Sequence, residues 1–138
     1  MMEYAEPSVT VGLRRGRLFV ISKYSPGRGT WILKEPVLEA RPTDAADVGQ
    51  KILDGLDHFV AGGKMPDWNK YRSPILPAAG VKTWSEWERG LKECMVVKEP
   101  EGFKIMSEGL HATIPYSASA EILGAKVLEA LELSAYEA

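Results

Sequence analysis

The chain has 138 residues, 45% apolar and 26% charged, with 17 basic and 19 acidic side chains and a formal net charge of −2. That length fits one domain able to bury roughly 70% of the surface its unfolded chain exposes, and the composition excludes collagen-like, low-complexity and disordered classes. One cysteine, Cys94, excludes an intramolecular disulfide and a Cys-rich zinc site and fits a reducing compartment; no apolar run exceeds four residues, too short for a membrane helix, and MMEYAEPSVT has no signal-peptide pattern.

Val9, Val11 and Leu13 alternate with Thr10, Gly12 and Arg14, which predicts a strand with one apolar face. Arg15-Gly16 supplies a turn, and the continuous apolar run Leu18–Ile21 predicts a central strand covered on both faces. Ser25-Pro26-Gly27-Arg28-Gly29 reads as a loop, Trp31-Ile32-Leu33 as a third strand and Val37-Leu38 as part of a short fourth one. The period then changes. Ala45, Val48, Ile52, Leu56, Phe59 and Val60 fall at three- and four-residue steps, predicting an amphipathic helix over 43–60, capped by Thr43 or Asp44 and ended by Gly62-Gly63.

Residues 61–82 are rich in glycine and proline and read as a long connection, pinned by Trp68 and Tyr71. Thr83-Trp84-Ser85-Glu86 is a capping box, with Val81 and Trp87 placed as a hydrophobic staple, and it opens a short helix over about 84–92. Trp84, Trp87 and Leu91 share one face of that helix and are expected in the core. Two strands, Cys94–Val97 and Phe103–Met106, flank the turn Glu99-Pro100-Glu101-Gly102. His111–Tyr116 predicts a further strand, and residues 118–134 a last helix capped by Ser117.

The two long helices resemble each other. Asp47–Asp57 aligns with Ile122–Glu132 at a constant offset, bringing Gly49 onto Gly124, Lys51 onto Lys126, Leu53 onto Leu128 and Leu56 onto Leu131. This suggests two strand–strand–(strand)–helix halves, roughly 8–60 and 83–134, joined by 61–82. A mid-helix glycine costs about 1 kcal/mol against alanine, so the matched pair suggests a close approach of helix to sheet. The predicted fold is α+β: a mostly antiparallel sheet of five to seven strands, with two longer helices and one short helix packed on it.

Motifs of catalysis are missing. His58 and His111 have no neighbours at metal-ligand spacing, and no H-E-x-x-H or G-x-S-x-G occurs. Gly62-Gly63-Lys64-Met65 and Gly27-Arg28-Gly29 lack the rest of a phosphate-binding loop and read as turns. Cys94 begins a strand and reads as a small buried side chain. No cofactor or metal is implied. The densest basic cluster is Arg14-Arg15-Gly16-Arg17, with Lys23 and Arg28 nearby. It supports an alternative reading, a nucleic-acid-binding or regulatory module contacting phosphates through this hairpin; a solvated hairpin tip is the preferred one. Residues 1–40 carry six basic and four acidic groups and residues 101–138 two and six, so the front is basic and the tail acidic.

A strand-rich start, the helix pattern D-x-x-x-x-G-x-x-I-L-x-x-L, the Trp-led segment Thr83-Trp84-Ser85-Glu86-Trp87 and the closing repeat of the helix together resemble the contact-dependent growth-inhibition immunity proteins of bacteria, over about residues 8–133. The resemblance implies a small cytoplasmic protein without catalysis that binds one-to-one, and blocks, the C-terminal toxin domain of a large secreted effector, often a nuclease such as a tRNase, with no membrane and no direct nucleic-acid contact. It carries over no binding residue. From chemistry alone, exposed acids suit a positive nuclease cleft and aromatic side chains serve as anchors. The candidates are Asp67, Trp68, Tyr71, Glu86, Glu88, Glu101 and Glu108.

Overall fold

The computed structural model describes residues 3–132. It opens with two hairpins. β1 (Ser8–Arg14) and β2 (Arg17–Gly27) are joined by Arg15 and Gly16, both at positive φ (51° and 75°), the backbone that a two-residue hairpin turn requires. β2 passes to β3 (Thr30–Ala40) through Arg28 and Gly29, at φ 58° and 67°. The loop expected at 25–29 is therefore only two residues long. Ser25–Gly27 remain strand because the backbone of Tyr24 and Ser25 finds a partner later in the chain, as described below.

Val37 and Leu38 belong to β3 and not to a separate strand. Between the pairs Ile21–Val37 and Lys23–Leu33, β3 has three residues where β2 has one, and this bulge contains Pro36. A proline without an N–H is tolerated there, since β3 lies at the edge of the sheet.

Helix α1 (Ala45–Asp57) is capped by Asp44, whose carboxylate accepts from the Asp47 amide at 3.1 Å. It stops before its expected end at residue 60. Val60 and Ala61 form β4, which pairs in parallel with Tyr24 and Ser25 and draws the chain back into the sheet. The long connection then forms a short helix that the sequence pattern does not announce, α2 (Ile75–Ala79), stopped by Gly80 in the left-handed conformation. α3 (Trp84–Glu88) is shorter than expected. Its cap is half of the expected box: Thr83 Oγ1 accepts from the Glu86 amide, but the Glu86 carboxylate reaches the amide of Lys82 and not that of Thr83.

β5 (Lys92–Glu99), β6 (Gly102–Ser107) and β7 (Leu110–Ile114) follow as a meander, and α4 (Ala120–Glu132) completes the described chain. Ser119, and not Ser117, caps α4, its hydroxyl accepting from the Ile122 amide at 3.2 Å. The expected residues 133 and 134 of this helix lie outside the described residues.

The result is a mixed α+β fold with a seven-stranded, mostly antiparallel open sheet and four helices packed on it. The strand order is β3-β2-β1-β5-β6-β7, with β4 beside β2. β1 and β5 meet at the centre, Val11 opposite Cys94, and on either side three strands lead into a long helix. Because side chains alternate across a strand, the sheet has two separate apolar faces. On the first, α1 and α4 cover Val9, Val11, Val20, Cys94, Val96 and Ile105. On the second, the connection, α3 and the residues after it pack Ile75, Val81, Trp87 and Leu91 over Phe19 and Ile21.

Gly49 and Gly124 mark a close approach, but between helix and helix. A Cβ on Gly49 would collide with the carbonyl of Ala120, and one on Gly124 with that of Ala45. The helix-to-sheet approach lies instead at Gly55, where an added Cβ would stand 2.9 Å from Val9 Cγ1.

Candidate functional site

The second face is only partly covered. Trp87 is fully buried, its ring 5.8 Å from Phe19 in an edge-on pair. It lies directly above Gly12, where a Cβ would stand 2.8 Å from the indole. The glycine in β1 thus makes room for the largest side chain of the second core. One turn of helix has space over the sheet for one indole. Trp84, three residues earlier and expected in the same core, falls at the rim and is 44% exposed.

Beside this small core the connection stands off the sheet and leaves a groove made of two adjoining cavities. The first, about 340 Å³, is lined by Trp31, Leu33, Trp68, Tyr71, Ser73 and Trp84. The second, about 400 Å³, is lined by Leu33, Trp84, Glu93, Met95, Met106 and Glu108. Leu33 and Trp84 border both. The Tyr71 hydroxyl donates to the Leu33 carbonyl at 2.7 Å, tying the connection to β3. Trp68 packs edge-on against Tyr71 at 5.4 Å yet is 60% exposed. Tyr71 therefore pins the connection, whereas Trp68 is displayed by it. Asp67 shapes the turn that displays it, its carboxylate accepting from the Asn69 amide and its carbonyl from the amides of Lys70 and Tyr71.

Lys23 lies on this same face, paired across strands with Leu33. It is 4% exposed, and its Nζ meets Ser8 Oγ at 3.1 Å, Met95 Sδ at 3.0 Å and the Trp31 ring at 4.8 Å. Among the described residues no carboxylate stands within ion-pair distance of it. Burial pushes its ammonium down to about 8, against the opposing pull of Glu93. Burial, then repulsion from Glu88, raises the Glu93 carboxyl above its ordinary range, with Lys23 opposing. Glu88, Glu93 and Glu108 make no ion pair among the described residues. The groove is thus aromatic at one end and acidic at the other.

Of the residues nominated from sequence, Trp68, Tyr71 and Glu108 line the groove, with Asp67 and Glu88 beside it. Glu86 borders a separate cleft with Arg14, Arg15 and Arg17. Glu101 sits in the turn at the far end of β5, near Glu99 and Tyr116. Trp31, Trp84, Glu93, Met95 and Met106 were not nominated. A signal existed for one of them: an indole alternating with the buried Ile32 must lie on the opposite face of its strand. Cys94 is buried, and its thiol is pushed up to about 12, chiefly by burial, which makes it a poor nucleophile. No helix among the described residues is long and apolar enough to cross a membrane.

No family model and no curated protein matches the chain. Solved structures match its fold. One is a chain of the CdiA-CT/CdiI toxin and immunity complex from Yersinia pseudotuberculosis, with a TM-score of 0.73 and 14% identity over 92% of this chain and 96% of that one. Another is a protein of unknown function from Neisseria meningitidis, with a TM-score of 0.70 and 13% identity over 97% of this chain and 98% of that one. At such identities the likeness is one of fold. An open groove with displayed indoles and unpaired carboxylates is suited to docking another molecule.

Proposed function

We propose that this chain is an immunity protein that binds the C-terminal toxin domain of a contact-dependent growth-inhibition effector and blocks it by occlusion, one-to-one in the cytoplasm and without chemistry of its own. The observation that carries the reading is the fold likeness to a chain of a toxin and immunity complex, nearly end to end on both sides. The sequence resemblance points to the same class independently.

The groove on the second sheet face is the proposed docking surface. Trp68 and Trp84 are the anchors, since exposed indoles bury large area at little entropic cost. Glu88, Glu93 and Glu108 lie where a cationic segment of the toxin would seat, as expected of a nuclease that binds phosphates, and acidic side chains there speed encounter. Asp67 holds Trp68 in place. An interface of ordinary size, about 1,200–2,000 Å² in total, extends well beyond the groove and takes in both its walls.

Co-expression with the toxin domain encoded next to this chain tests the reading. The expected result is survival of cells that otherwise stop growing, and a complex that survives size exclusion. A chain that neither protects nor copurifies overturns it.

A further inference from the structure

We propose that the cleft at the tip of the first hairpin binds a phosphate group. This site lies apart from the groove and goes beyond the proposed immunity role. The cleft, about 200 Å³, is lined by Arg14, Arg15 and Arg17 together with Phe19, Val81 and Glu86. The three arginines do different things. Arg17 is already engaged: its guanidinium makes two bonds to the Glu39 carboxylate, at 2.9 and 2.8 Å, and lies 4.9 Å from the centre of the Phe19 ring. Arg15 is exposed at the turn and makes no ion pair among the described residues.

Arg14 is the unusual one. It is only 7% exposed, its Nε donates to the Arg89 carbonyl at 3.1 Å, and its Nη2 is closed off from solvent with no acceptor among the described residues. A buried charged donor is costly to leave unpaired, and the side chain that carries it borders an open cleft beside the exposed Arg15 guanidinium. Arg15 and Gly16, both at positive φ, turn the chain at the tip, and the side chains of Arg14 and Arg15 both border the cleft. A phosphate offers several oxygens and up to two charges, enough for forks approaching from two sides; a carboxylate, with two oxygens and one charge, is matched by a single fork, as Glu39 is by Arg17. Glu86 works against the anion. Its Oε1 accepts from the Lys82 amide, so its charge stands fixed at the wall.

The test follows the Nε–Hε signals of the arginines by NMR while inorganic phosphate replaces chloride at constant ionic strength. The expected result is a saturable shift of Arg14 and Arg15, with Arg41, paired to Asp44 and Asp47, unmoved. Arg14→Gln and Arg15→Ala are each expected to weaken binding by about tenfold or more, and Glu86→Gln to tighten it. Arg15 is an exposed turn residue, so its variant carries the test even where Arg14→Gln fails to fold. A short single-stranded RNA, added in a second arm, separates the sources. Shifts that RNA reproduces, and that inorganic phosphate competes away, place the phosphate in a nucleic-acid backbone. Shifts with inorganic phosphate alone place it in a small phosphate compound. Shifts that never saturate, that spread equally to Arg41 or that survive Arg15→Ala overturn the proposal.

Discussion

The two faces of the sheet are closed by different means. On the first, two helices meet backbone to backbone at Gly49 and Gly124 and seal a continuous apolar layer. On the second, a mostly irregular segment with two one-turn helices lays Ile75, Val81, Trp87 and Leu91 over Phe19 and Ile21 and leaves a groove beside them. A helix presents a regular stripe that fills a sheet face evenly. A connection fastened at a few points, such as the Tyr71 hydroxyl, cannot do so. The first face is therefore the place where stability is stored, and the second the place where side chains are free to meet a partner.

The sharpest way to break this contrast is at the helix crossing. Gly124→Val puts a branched side chain against the carbonyl of Ala45, which has no flexible end to move aside. The expected cost is more than about 3 kcal/mol, beyond ordinary overpacking. Urea unfolding of the variant checks it. A loss below about 1 kcal/mol would mean that the helices separate easily and that the first face is not the rigid one.

What could be read from the sequence follows the same division. Alternation in β1 and the three- and four-residue steps of α1 and α4 identify apolar faces, and those elements form there, although α1 ends at Asp57, short of the Phe59 and Val60 that its pattern includes. The matched glycines also announce a close approach. Which surface they approach is a tertiary fact, and it turns out to be the other helix. Pattern also failed where neighbours decide. Ser25–Gly27 carry turn residues but remain strand because β4 and β3 pair with that stretch of β2, and β3 runs through Pro36 because an edge strand tolerates a bulge. The groove was the least legible part. Chemistry singles out Trp68, Tyr71 and Glu108, whereas the helical period puts Trp84 in the core beside Trp87. No local rule states that Gly12 makes room for one indole only.

The second contrast concerns charge. The first face buries apolar groups, whereas the second buries the ammonium of Lys23 with a hydroxyl, a thioether and an indole as company. In the folded chain it releases its proton near 8, against 10.5 for an unperturbed lysine. Below pH 8 both states are protonated and the cost of burying the charge is constant. Between pH 8 and 10.5 the unfolded chain keeps a proton at this lysine that the folded chain has lost, so the contribution of Lys23 to stability rises with pH, by about 3 kcal/mol if the whole shift is expressed. Lys23→Met is expected to remove this slope. Between pH 8 and 10 Cys94, whose thiol burial pushes up to about 12, works against the trend from about pH 9, and Tyr71, raised by burial, does so at higher pH; both act alike in the two proteins, so the difference between their slopes isolates Lys23. Unfolding curves of both proteins across that window decide the matter, and equal slopes would show that water reaches Lys23 through the groove.

The finest distinction lies within α3, where Trp84 and Trp87 stand one turn apart on opposite sides of the boundary between core and surface. Trp84 is nearly half exposed and borders both cavities, so Trp84→Ala removes only about half the burial of a core indole and is expected to cost about 2 kcal/mol of stability, less than the roughly 3–5 kcal/mol of a fully buried tryptophan. A separate effect should appear in binding. An exposed indole at the centre of a docking surface is worth about 2 kcal/mol there, a loss of roughly thirtyfold in affinity. Titration calorimetry with the toxin domain, read beside the unfolding curve of the same variant, separates the two quantities. If affinity holds, the groove is not the docking surface even where the immunity reading stands. If stability falls as well by several kcal/mol, Trp84 belongs to the core after all, and the second face is closed more completely than its cavities indicate.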